Sequence, residues 1–204
     1  MNPQTKDISK YIARIALFFI PLYALILFLW LHIEPIYNTI LTEYTMNFFT
    51  WYFDFHVDSL DSNGKRFTYL LSDARTLYNQ FNEPFHFQYS LSFALDIITY
   101  NIPMTLSAVL ALIITQAKSK LDYLLLIHVI VLLILLHCIT IYFVVLGATI
   151  DLAYSKKLLQ AYLQEHTLLI HDRGYIKLFL VQYGIRFEPF LMMVYTWFKM
   201  HSRR

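Results

Sequence analysis

Charge-free apolar runs set the rhythm of this chain. Positions 15–33 form a run of 19 residues without Asp, Glu, Lys or Arg, and positions 123–150 form one of 28. A bilayer core about 30 Å thick is crossed by roughly 20 apolar residues of helix, so each run predicts a spanning helix. Positions 97–117 make a third run of 21 residues, opened by Asp96 and interrupted by Pro103. Polar groups freed by a kink at that proline would need protein partners. A fourth stretch, 174–198, is long enough but carries Lys177, Arg186 and Glu188, and is cleanly apolar only over 189–198. The expected spans are therefore 15–33, 95–117, 123–150 and 175–198.

Between the first two spans the period changes. Apolar residues at 37, 40, 41, 44 and 48 keep helical spacing and predict a short amphipathic extension of the first span. Trp51, Phe53, Phe55 and Val57 then alternate with Tyr52, Asp54, His56 and Asp58, the period-two pattern of a half-buried strand. Asn63-Gly64 follows as a hairpin signal. Phe67, Tyr69 and Leu71 alternate again, and Phe85, Phe87, Tyr89 and Leu91 suggest a third strand after Pro84. A lone hairpin is marginal in water, so this insert, placed at 45–92, needs a third strand, a membrane surface or a partner to pack on. Segment 151–173 sets Leu158, Leu159, Tyr162 and Leu163 among Lys156, Lys157, Gln160 and Gln164. It predicts an amphipathic helix on the outer membrane surface. With no repeat and no soluble linker, residues 1–204 read as one polytopic domain: mainly α, four transmembrane helices, a small extracytoplasmic hairpin or three-stranded insert, and an outer helix.

Composition agrees. Apolar residues make up 58% of the chain and charged residues 15%, against roughly 45–50% and about 25% in soluble domains. Four glycines argue against a Gly-rich phosphate loop, and a single cysteine excludes an internal disulfide or a Cys-built zinc site. A net charge of +2 without a basic block argues against nucleic acid as a partner. The basic residues also orient the spans. Lys6, Lys10 and Arg14, then Lys118 and Lys120, then Lys199, Arg203 and Arg204 hold 8 of the 16 in three short segments. The long 34–95 loop carries only Lys65, Arg66 and Arg75. The positive-inside rule places both termini and the 117–122 turn in the cytoplasm, which requires an even number of spans. The first run reads as an uncleaved anchor, because Trp30-Leu31-His32-Ile33-Glu34 lacks small residues for a cleavage site.

Charge inside a membrane is costly and marks candidate sites. Asp96, Arg186 and Glu188 are the intramembrane polar residues here. Arg186 and Glu188, two apart, point to different sides of a helix, leaving Arg186 to meet Asp96 across a bundle. The competing readings are a structural ion pair, or a last span that starts near 189 and leaves both residues at the interface. His128 and His137 are nine apart, about half a turn net on a helix, and cannot chelate one metal; each reads as a hydrogen-bonded structural histidine. His56 between Asp54 and Asp58 reads as a solvated strand face. No Ser-His-Asp signature, His-Glu-x-x-His, Walker motif or dinucleotide fingerprint occurs, so no catalytic residue, metal ligand or cofactor is assigned. The 16 Tyr and 17 Phe exceed what interfacial belts use. Their surplus in the outer insert suggests a contact surface, with Trp51, Phe53 and Phe55 as partner-binding residues, joined by Asn101 as a polar position in the second span.

Three places resemble a family of small bacterial inner-membrane proteins, the exosortase H-associated membrane proteins. They are Phe18-Phe19-Ile20-Pro21-Leu22-Tyr23 through Trp30, Tyr100-Asn101-Ile102-Pro103-Met104-Thr105-Leu106 through Leu112, and Val181-Gln182-Tyr183-Gly184 followed by Pro189 and Trp197. The chain departs from that family in its few glycines and prolines, in Gln-Tyr for Tyr-Gln, and in the charges of Arg186 and Glu188. Together with the charge pattern that sets both termini in the cytoplasm, the resemblance implies a multi-pass protein of the bacterial inner membrane. It also implies an accessory role beside a membrane enzyme that processes sorted proteins, not the peptidase activity itself. The expected function is thus a non-catalytic accessory subunit for export, surface sorting or envelope assembly. It would act by binding another integral membrane protein within the lipid bilayer. A transporter or channel subunit, with Asp96, Arg186 and Glu188 lining a polar path, is the alternative; an intramembrane enzyme built on His and carboxylates is a third.

Overall fold

The computed structural model describes residues 3–73, 76–78, 81–86, 88–117, 120–155, 175–176 and 178–202. In chain order the elements are α1 (Pro3–Phe53), β1 (Phe55–Ser62), β2 (Arg66–Asp73), β3 (Leu77–Tyr78), β4 (Pro84–Phe85), β5 (Gln88–Ala94), α2 (Asp96–Thr99), α3 (Ile102–Gln116), α4 (Lys120–Ser155), a π-helical turn (Phe179–Gly184) and α5 (Ile185–Ser202). The protein is mostly helical, with a small antiparallel sheet. Three helical stretches among the described residues are long and apolar enough to cross a membrane: Lys10–Tyr52, Asp96–Gln116 and Asp122–Thr149. The closing stretch, expected as a fourth span, is a π turn followed by α5 and is not one of the three.

The chain divides into two compact units. The first comprises Met1–Ile33, Tyr100–Leu136 and Gly184–Arg204; the second comprises Glu34–Thr99 and His137–Tyr183. Residues of α1 and α4 contribute to both.

In the first unit, Val109 and Ile113 of α3, Leu125, Val129 and Leu133 of α4, and Met192 and Met200 of α5 form one apolar core. Spacings of four on α3 and α4, and of eight on α5, make ridges that pack into a neighbour's grooves. Ser107, Ala108 and Ala111 are buried on α3, and small residues there let helices approach closely. Pro103 sits in the first turn of α3, where its missing N–H has no intrahelical partner to lose.

The second unit is built on a three-stranded sheet in the order β1-β2-β5, antiparallel throughout. Phe67, Tyr69 and Leu71 of β2 and Tyr89, Leu91 and Phe93 of β5 line its buried face. Thr68 donates to Ser92 across the opposite face at 3.2 Å. β1 is buried only at Phe55, and its ladder shifts register between Val57 and Ser59, a bulge of the kind that protects an edge strand. The C-terminal half of α1 buries Asn38, Leu41, Thr42, Thr45, Met46 and Phe49, one helical stripe. Phe49 stacks on Phe55 at 6.0 Å between ring centres.

Several boundaries differ from those the periodicity predicts. The insert expected from 45 starts ten residues later, because α1 runs to Phe53 and the first strand begins at Phe55. The buried stripe keeps helical spacing through Phe49, and this packing overrides the short alternation at 51–57. Asp54, with φ of 53°, turns the chain out of the helix in the left-handed conformation common after helix ends. The third strand, expected over 85–91, falls at 88–94: Tyr89 and Leu91 belong to it, whereas Phe85 pairs in the two-residue ladder of β3 and β4. The predicted hairpin at Asn63-Gly64 is present between β1 and β2. Asn63 Oδ1 accepts from the Lys65 and Arg66 amides at 3.1 and 2.8 Å, and Gly64 takes φ of 78°. Of segment 151–173, residues 151–155 continue α4 and the remainder lies outside the described residues.

Candidate functional site

The second unit presents an unusual surface on α1. Opposite its buried stripe, Ile36, Ile40, Tyr44, Phe48 and Trp51 are all exposed, Trp51 by 75%. Their spacings of three and four place them along one face. Phe48 is packed against Trp51 and Tyr52, with ring centres 6.0 and 6.2 Å away. It also meets Tyr142 of α4 at 5.8 Å. Beside these rings an apolar groove of about 320 Å³ runs between the two helices, lined by Tyr44, Thr45, Phe48, Cys138, Ile139, Tyr142 and Phe143. Large, rigid aromatic side chains grouped around an open groove suit binding to another apolar surface.

Beneath that surface the helix is anchored by polar bonds. The Asn38 side chain, fully buried, donates to the Gly64 carbonyl at 3.0 Å and accepts from the Thr99 hydroxyl at 3.1 Å. One amide thus holds α1 to the hairpin turn and to α2. Gly64 lies so close to Pro35 that an added Cβ would sit 2.6 Å from the proline Cβ. Glu34 and Lys65 form an ion pair at 3.9 Å over the same junction. The Tyr37 hydroxyl and His137 Nδ1 are 3.0 Å apart, with His137 fully buried. Tyr89 and Thr149 share a hydroxyl–hydroxyl bond at 2.9 Å. Burial, and secondarily the charge of Glu43, pushes the Tyr69 phenol up to about 12.

The first unit holds its polar groups differently. Thr105 of α3 donates to Glu188 Oε1 at 2.7 Å, and Asn101 Nδ2 donates to the Ile185 carbonyl at 2.6 Å. Glu188 is 0% exposed. Arg186, two residues away, is exposed, as the opposite facing of such neighbours requires.

The sequence-derived candidates are therefore dispersed. Trp51 is on the surface, Phe55 is core, and Asn101 is buried in the first unit; the side chain of Phe53 lies outside the described residues. Asp96 belongs to the second unit, where its carboxylate accepts from the Ile97 amide at 3.0 Å. Glu188 and Arg186 share a helix but not a face. His128 is exposed and bonded to the Leu124 carbonyl. Among the described residues no group of His, Cys, Asp and Glu could hold a metal ion, and every buried side-chain N or O has a hydrogen-bond partner. Sequence reasoning missed Asn38, Thr105, Tyr44 and Phe48 as site residues. Asn38 carried one signal, a polar residue at the i, i+3, i+4 spacing of an apolar face. No family model, curated protein or solved structure matches this chain.

Proposed function

We propose that this chain is a non-catalytic accessory subunit of a bacterial inner-membrane complex, acting by binding another integral membrane protein. The observation that carries the reading is that α1 runs far beyond its charge-free run at 15–33 and keeps an exposed apolar face on the amphipathic part that follows. Lys10–Tyr52 is a 43-residue stretch, whereas a bilayer core needs roughly 20. The exposed apolar face continues through Tyr44, Phe48 and Trp51, so lipid alone does not account for it. A protein partner covering the C-terminal half of α1 does, with Trp51, Phe48 and Tyr44 as anchors. Phe53 stays a candidate contact beside them. Phe55 and Asn101 serve the fold that presents the surface.

In this reading the chain is multi-pass, with both termini cytoplasmic. The stretch through α5 acts as a fourth span, closing the charge pattern of Lys6, Lys10, Arg14, Lys118, Lys120 and Lys199. The resemblance to exosortase-associated proteins points to a membrane enzyme of protein sorting as the partner. Two features count against a polar transport path: Glu188 is enclosed and bonded to Thr105, and Arg186 faces away from it.

Purification from native membranes in a mild detergent tests the proposal. The expected result is a second integral membrane protein at fixed stoichiometry, lost when Trp51 and Phe48 are both replaced by alanine. A chain that purifies alone, or only with copies of itself, overturns it.

A further inference from the structure

Pro189 lies inside α5, four residues after Ile185. Proline has no amide hydrogen, so the donor that a regular helix would direct at the Ile185 carbonyl is missing. Both residues are buried, and a buried carbonyl deprived of a donor is costly. Asn101 sits at the N-cap of α3, where an asparagine usually bonds to its own helix's first amides. It makes no such bond. Its side-chain amide instead reaches the Ile185 carbonyl at 2.6 Å.

We infer that Asn101 is the surrogate donor for Pro189: a side chain of one helix supplies the hydrogen bond that its neighbour cannot make for itself. One turn further along α3, Thr105 donates to Glu188. The two bonds join residues four apart on α3 to residues three apart on α5, so together they fix a single register. Sliding α5 by one residue would leave both a carbonyl and a buried carboxyl without these donors. The clasp also explains how an irregular helix start, a π turn followed by an internal proline, is held in one conformation. α5 can give up its contact with α3 only by exposing the break. This makes the clasp a conformational device and Asn101 a positioning residue.

A double-mutant cycle on the full-length protein in detergent tests this, read as apparent melting midpoints. Asn101→Ala is expected to lower the midpoint by about 4 °C or more. Pro189→Ala restores an amide hydrogen, so Pro189→Ala alone folds. Adding Asn101→Ala to it costs less than half of what Asn101→Ala costs the natural chain. Equal cost in both backgrounds, or no cost in the natural one, overturns the inference. Should Asn101→Ala fail to accumulate folded, recovery of folded protein in the double variant supports the inference. Failure of the double variant while Pro189→Ala folds contradicts it, as does failure of Pro189→Ala itself.

Discussion

α1 and α3 are both apolar enough for a bilayer, yet their surroundings are opposite. None of the most apolar 18-residue window of α1 is buried, whereas 67% of the window in Asp96–Gln116 is. Side-chain size separates them. α3 offers Ser107, Ala108 and Ala111 for close packing, while the N-terminal half of α1 presents Leu17, Phe18, Ile20, Leu25 and Phe28 outward. Hydropathy registers that water is excluded; it is silent on whether lipid or protein excludes it. The buried residues of α1 fall chiefly in its C-terminal half, in one stripe ending at Phe49, and the opposite stripe is exposed.

That contrast is sharpest between Phe49 and Trp51. Phe49→Ala removes a fully buried ring and should cost about 3–5 kcal/mol of stability, measured by denaturation in detergent. Gly64→Ala tests the anchoring of the same helix from the other side. The new methyl meets Pro35 at 2.6 Å on a backbone of φ 78°, for an expected loss of about 2–3 kcal/mol. Thr105→Val probes α3: it removes a donor to the buried Glu188 carboxyl and should cost about 1–3 kcal/mol. Trp51→Ala should change stability by no more than about 0.5 kcal/mol while weakening capture of the partner. If Trp51→Ala destabilises as much as Phe49→Ala, the two faces of α1 are not different in kind.

A separate effect is on pH dependence. Tyr69 ionises at about 12 in the folded chain against about 10 when unfolded. Between those values the unfolded chain has lost a proton that the folded chain keeps, so stability falls as pH rises from 10 toward 12. Tyr69→Phe should flatten that part of the stability curve relative to the natural chain; an unchanged slope would assign it to other groups.

Much of this architecture was legible in the residues. The three apolar runs, the Asn63-Gly64 turn and the alternation at Phe67, Tyr69 and Leu71 are local signals, and the helices, hairpin and buried sheet face follow from them. The end of α1 was not legible. Trp51, Tyr52 and Phe53 suit a helix as well as a strand, and Asp54 ends the helix without a glycine or proline to announce it. The clasp was hidden for another reason: Thr105 and Glu188 are 83 positions apart, and nothing local to either names the other. Asn101 and Glu188 were flagged for their polarity in apolar surroundings, which marks that a partner must exist without saying whether it is a ligand or a neighbouring helix.

The exposed face of α1 is the surface that the proposed partner protein would cover. A photoreactive amino acid placed at position 51, and separately at position 49, in intact cells measures this most directly. The account predicts one discrete adduct with a different membrane protein from position 51 and none from position 49. Adducts from position 51 with lipid alone, with a second copy of this chain, or with no defined species would contradict it.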